Sequence, residues 1–265
     1  MKAKTKTKAL LMSLCAVLLV AASVLGTMAY LTDSKDVKNT FTVGNVAITL
    51  DEAKVDDNGN AIDKQGKRVT NLADAERVPG NAYKLLPGHT YTKDPTVTVL
   101  APSVESYVRM KVTFNKASAL IAMCTNPDWE KDAPTEIKNA WPLLYMVNFT
   151  DESVKWDGII MDNMFESENM LNNTKYCVYD KAADTLTFYY YYTETVAAID
   201  ADVKLATLFD SIKVPEWANN DQLKALQGFE INVVAEAIQA DGFVDANGDP
   251  SADAAWTAFA AQMYK

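Results

Sequence analysis

Histidine and cysteine are nearly missing from this chain, and their scarcity removes several common catalytic chemistries. His89 is the one histidine, and there are three cysteines in 265 residues. A zincin needs two histidines four residues apart on a helix, so an HExxH site cannot be built from this sequence. No Gly-X-Ser-X-Gly elbow and no Walker loop occurs either, which removes the α/β-hydrolase and P-loop readings. Three cysteines make no metal framework, and a chain of this length needs no disulfide scaffold. Positive charge is also short: 25 Lys and Arg stand against 35 Asp and Glu, a net charge of −10. Such a surface repels phosphate backbones and anionic lipid, so nucleic acid is not an expected partner. Internal repeats and Pro-rich linkers are missing as well, and one domain is expected. With 49% hydrophobic residues, that domain can bury a substantial core.

The N-terminus has its own charge pattern. Lys2, Lys4, Lys6 and Lys8 precede an apolar run over 9–25, then Gly26-Thr27-Met28-Ala29. Small residues at Thr27 and Ala29 suit the minus-three and minus-one subsites of a signal peptidase. Residues 1–29 therefore read as a signal peptide cut between Ala29 and Tyr30, with a domain over 30–265. The apolar run lies at the short limit for a membrane span. Membrane contact is thus expected only before cleavage, and the product is expected outside the cell. Removing the four lysines moves the net charge from −10 to −14. In an oxidising environment Cys124 and Cys177 either pair or stay as free buried thiols, and the sequence leaves both open.

Period-two alternation dominates the rest of the chain. In Tyr107–Phe114, Val108, Met110, Val112 and Phe114 occupy one face of a half-buried strand. Phe229, Ile231, Val233, Ala235 and Ala237 alternate with Glu230, Asn232 and Glu236 in the same way. Further strands are expected at 39–50, 95–100, 154–160, 174–180, 184–193 and 205–214. Residues 51–88 read as a long loop containing a hairpin turn, and 115–145 as a short helix followed by irregular chain. Another short helix is expected over 215–226, after Pro215. At the end, Asp249 caps a helix starting at Pro250, with Trp256, Phe259, Ala260 and Met263 on the face that packs on the sheets. The fold expected is mainly β: a jelly-roll-like β-sandwich with short helical insertions and a C-terminal helix.

Few residues rise above this background. A lone loop histidine such as His89 is more often structural than a ligand. Asp56-Asp57-Asn58-Gly59-Asn60 and Asp245-Ala246-Asn247-Gly248-Asp249 resemble the start of a calcium loop, but glycine stands fourth rather than sixth, and turn chemistry accounts for both. Tyr189-Tyr190-Tyr191-Tyr192 places aromatics on both faces of a strand, as packing beneath a helix or loop, or as a contact surface. No catalytic, cofactor-binding or metal-ligating residue is assigned.

The stretch Gly26-Thr27-Met28-Ala29-Tyr30-Leu31-Thr32-Asp33 resembles the processing region of the TasA/camelysin family of Gram-positive secreted proteins. Asn39–Leu50 is similar to that family's first strand and Phe229–Gln239 to its last. Leu86-Pro87-Gly88 with Thr92-Lys93-Asp94 lies between them in family order. The resemblance implies an exported jelly-roll domain that builds biofilm-matrix fibres by donating an N-terminal segment to the next subunit. Here that segment is Tyr30 to Gly44, with Phe41 and Val43 as anchors. Its partners would be further copies of itself and a dedicated signal peptidase. The family also includes members classed as metallopeptidases, and without a zinc motif no catalytic residue carries over. Two alternatives stand beside a structural role: a metal-dependent surface protease, and a monomeric module binding glycan or protein.

Overall fold

A computed structural model describes residues 32–36, 46–124, 147–148, 154–155, 177–207 and 209–263. The first strands are β1 (Thr32–Asp36), β2 (Ile48–Ala53), β3 (Arg77–Val78), β4 (Thr90–Thr92), β5 (Thr96–Val99) and β6 (Ser103–Asn115). Helix α1 (Ala117–Cys124) follows, then β7 (Val147–Asn148), β8 (Val154–Lys155), β9 (Cys177–Asp180) and β10 (Thr185–Tyr192). The chain closes with β11 (Val196–Ala198), β12 (Val203–Lys204), β13 (Ser211–Lys213), α2 (Asn220–Ala225), β14 (Ile231–Gln239) and α3 (Ala252–Met263).

The protein is mainly β, built from antiparallel sheets with a C-terminal helix. The largest sheet has the order β1-β14-β6-β10-β8, with β9 also on β10 and β11 also on β6. β11 continues the β10 edge of β6 past a register shift, so β6 is hydrogen-bonded on both sides over most of its length. Two smaller sheets, β12-β5-β2-β3 and β4-β13-β7, share one core with it. The expected faces hold. Val108, Met110, Val112 and Phe114 are buried, as are Val233, Ala235 and Ala237, while Phe229 and Ile231 pack at the core's margin. Val46, Ile48, Val97 and Val99 meet them from the second sheet, and Tyr91, Ile212 and Val214 from the region of the third. Cys124 sits in this core as a free thiol, and burial pushes it up to about 12.

The opposite face of the large sheet departs from alternation. Arg109 and Glu236 stand at polar positions, yet they are 5% and 1% exposed and form an ion pair at 2.6 Å. Helix α3 covers them: Trp256 lies 4.2 Å from the Arg109 guanidinium and packs on Tyr191 and Phe259. The tyrosine run therefore packs on both faces. Tyr190 and Tyr192 join the main core, and Tyr191 joins the cluster under α3.

Several expected boundaries move. α3 begins at Ala252, with the Ser251 hydroxyl accepting from Ala254 N at 3.2 Å, while Pro250 bridges Val244 in a hairpin. Asp249 is thus part of a turn and not the cap. On α3, Ala255, Trp256 and Phe259 are buried, and Ala260 and Met263 face solvent. Of the strand expected over 205–214 the structure shows β13 at its end, while β12 stops just before it, at Lys204, in a different sheet. Between them the Thr207 hydroxyl bonds to the Pro95 and Phe209 carbonyls, which turns the chain from one sheet to the other. The helix expected over 215–226 is shorter, because the Asn219–Gln222 capping box starts α2 at Asn220. The long loop over 51–88 is tied to the sheet, since β2 runs on to Ala53 and pairs β3 at Glu52↔Val78 and Ala53↔Arg77.

Candidate functional site

Of the residues singled out from sequence, Ala29, Tyr30, Phe41 and Val43 lie outside the described residues. The described part of the N-terminal segment is β1. It lies at the edge of the large sheet, antiparallel to β14, from Thr32↔Ile238 to Asp36↔Val234. β14 begins at Ile231, so this register leaves Ile231–Val233 beyond the end of β1.

Beside that stretch opens a cavity of about 840 Å³ between the start of β14 and the end of β2. One end is charged. Lys93 and Glu52, both buried, pair at 2.5 Å, and Asn81 Nδ2 donates to the second Glu52 oxygen at 2.8 Å. Arg77 bridges Asp51, at 2.8 Å, and Asp94, whose other oxygen accepts from Ala53 N at 2.5 Å. Burial works against the Arg77 charge, and Asp94 and Asp51 more than offset it, so its pKa rises. Burial, then the Glu52 carboxylate, pushes up the Tyr83 phenol, which donates to Thr92 O at 2.9 Å. These carboxylates are held by cations and amides, and no nucleophile stands among them. Nothing local in the sequence marks this cluster. Glu52 and Arg77 meet only because β2 pairs with β3, and Lys93 joins them from the chain between β4 and β5.

His89 has a structural partner: its Nε2 lies 2.7 Å from the Asn58 carbonyl, and its ring lies 4.6 Å from that of Tyr91. The two Asp-rich stretches are turns. Asp56 Oδ1 accepts from Asn58 N and Asn60 N, both at 2.9 Å, and Asp245 Oδ1 accepts from Asn247 N and Asp249 N at 2.8 and 3.0 Å. A third copy over Asp63–Lys67 was detectable from the same Asp-X-X-Gly spacing, with Gln65 N and Lys67 N on Asp63 Oδ1. A β-bridge closes each turn: Val55↔Ala61, Ile62↔Arg68 and Val244↔Pro250. The aspartate oxygens that a calcium loop would direct at an ion bind backbone amides instead. Among the described residues no group of three or more His, Cys, Asp or Glu side chains is placed to hold a metal ion.

Neither protein-family models, nor curated proteins, nor solved structures match this chain.

Proposed function

We propose that this chain is a secreted structural subunit of a cell surface or biofilm matrix, released by a signal peptidase and assembled into fibres by exchange of its N-terminal strand. The jelly-roll connectivity and the TasA/camelysin relationship belong to the same proposal and rest on the motifs quoted above. One observation carries it: the first described strand is an edge strand of five polar residues, TDSKD, bound along one side to β14. An edge strand at the start of a domain leaves or rejoins a sheet without breaking the core, and the ladder it vacates accepts an equivalent strand from a neighbour. The Ile231–Val233 stretch, which pairs with β6 and lies beyond the end of β1 among the described residues, and the cavity beside it extend the receiving surface toward the positions where Phe41 and Val43 of an incoming segment would fall.

Electron microscopy and light scattering of the cleaved chain test this. The parent should form oligomers or fibres, and a variant lacking residues 30–38 with Phe41→Asp and Val43→Asp should stay folded and monomeric. A synthetic peptide of residues 30–44 should bind the truncated variant and leave it monomeric. A parent that stays monomeric across pH and salt, or a truncated variant that assembles as the parent does, overturns the proposal.

A further inference from the structure

Asparagine is followed by glycine at Asn58-Gly59 and at Asn247-Gly248, each time inside an aspartate-led turn. Such a pair carries a latent intramolecular reaction. The glycine nitrogen can attack the asparagine Cγ, because no Cβ stands beside it. To reach Cγ it must swing with its peptide plane, by rotation about the asparagine Cα–C bond. What holds that plane therefore decides how readily the pair reacts. In both turns the glycine N–H donates to a carbonyl of the turn itself, Gly59 to Asp56 at 2.9 Å and Gly248 to Asp245 at 3.1 Å. At Asn58 the same plane is also held from outside, since its carbonyl accepts from His89 Nε2 at 2.7 Å. Gly59 is buried against the Tyr91 ring, and its own carbonyl accepts from Thr92 N at 2.8 Å. Asn247 and Gly248 are both exposed, and a Cβ on Gly248 would meet no atom within 4 Å. Among the described residues neither of their carbonyls accepts a hydrogen bond. The Asn247 side chain is held only within the turn, with Nδ2 3.4 Å from Asp245 Oδ2.

We propose that Asn247 is a site of spontaneous deamidation and isoaspartate formation, and that docking protects Asn58 from the same reaction. Gly248 N gives up its proton to water and bonds to Asn247 Cγ. The Cγ–Nδ2 bond breaks, and the nitrogen takes up a proton and leaves as ammonia. The product is a cyclic succinimide. Water then opens the ring on one side or the other. Cleavage of the new bond between Gly248 N and Cγ restores the original backbone, with aspartate at 247. Cleavage of the old peptide bond routes the backbone through Cγ, as isoaspartate. One water is consumed and one ammonia released, and nothing is oxidised or reduced. Either product adds a negative charge beside Asp245 and Asp249. Isoaspartate also lengthens the backbone by a methylene, in the hairpin that leads to the Ser251 cap of α3.

The test holds the folded full chain at mildly alkaline pH for weeks and maps its peptides by mass spectrometry. Synthetic peptides of residues 54–62 and 243–251 give the rates that sequence alone sets. With each site measured against its own peptide, Asn58 should convert at least about tenfold more slowly than Asn247. Isomerisation at Asp241-Gly242 leaves the mass unchanged, so the mass gained reports asparagine alone. His89→Ala releases the Asn58 peptide plane and should speed conversion there severalfold, with Asn247 unaffected. Gly248→Ala sets a Cβ beside the attacking nitrogen and should slow Asn247 at least about tenfold. If His89→Ala fails to fold, the wild-type ratio decides alone. Equal conversion of the two sites relative to their peptides overturns the proposal. So does a folded chain in which Asn247 keeps its amide while the 243–251 peptide converts, or a folded His89→Ala chain in which Asn58 reacts no faster.

Discussion

The turns at Asp56–Asn60 and Asp245–Asp249 share one chemistry and have opposite surroundings. Both place glycine at positive φ, +76° at Gly59 and +89° at Gly248, and both bind two amides on one aspartate oxygen. Gly248 stands in open space, whereas a Cβ on Gly59 would lie 2.3 Å from Tyr91 Cδ1. Around Gly59 the turn is docked: Thr92 N donates to the Gly59 carbonyl at 2.8 Å and His89 bonds to Asn58. Local chemistry is enough to make this turn, and it says nothing of whether the turn is also a packing element. Glycine serves backbone freedom alone at Gly248, and backbone freedom plus close approach at Gly59.

Breaking the docked turn should have the largest effect. Gly59→Ala adds an overpacking cost of about 1–3 kcal/mol to a left-handed backbone cost of about 1–2 kcal/mol. In a cycle with Tyr91→Ala, measured by chemical denaturation, the two changes should be strongly non-additive, because the smaller side chain removes the clash. Additive effects would mean that the turn does not rest on Tyr91. The free turns should respond less. Gly66→Ala and Gly248→Ala meet no neighbour, so only the backbone term of about 1–2 kcal/mol applies, and each should add independently to Tyr91→Ala. Acid should give the smallest effect and act on both turns. At Asp56, burial raises the pKa, but the amides of Asn60 and Asn58, the Asn60 side chain and Arg68 outweigh it and the net shift is downward. At Asp245 the Asp249 and Asn247 amides lead, and the pKa is again lowered. A carboxylate with a folded-state pKa below its unfolded value stabilises above the unfolded pKa of about 3.9, and that contribution disappears as pH falls through the folded pKa. The amide signals of Asn60 and Asp249 should therefore titrate with midpoints below about 3.9, and midpoints at or above that value would show that the turn bonds do not hold in solution.

The same division between local and distant information runs through the fold. Val108, Met110, Val112 and Phe114 were legible because alternation within one strand reports one face. Arg109 and Glu236 were not, because two things far away in sequence bury them: each other, 127 residues apart, and helix α3. Trp256 and Phe259 signalled that a C-terminal helix would pack. Ala260 and Met263 carry the same periodicity past the point where the helix still touches the sheet. The strand expected over 205–214 shortens to β13, and between β12 and β13 Thr207 bonds to Pro95 and Phe209, of which Pro95 lies far back in the chain. The cavity was hidden for the same reason, since its lining comes from separate stretches around Leu50, Asn81, Lys93, Ile212 and Leu226–Val233.

The register of β1 has a mechanical consequence. The chain enters this strand at Thr32, opposite Ile238, and leaves β14 one residue later at Gln239. Entry and exit stand at the same end of the pair. In an antiparallel pair the hydrogen bonds lie across the strands. A pull on the N-terminal chain against the body of the sheet therefore loads the rung at Thr32 first and opens the ladder rung by rung toward Asp36. Loading from Asp36 along the strand direction would instead put all five register pairs in shear at once. The strand peels under tension from one side and holds under tension from the other, and the direction of load decides which.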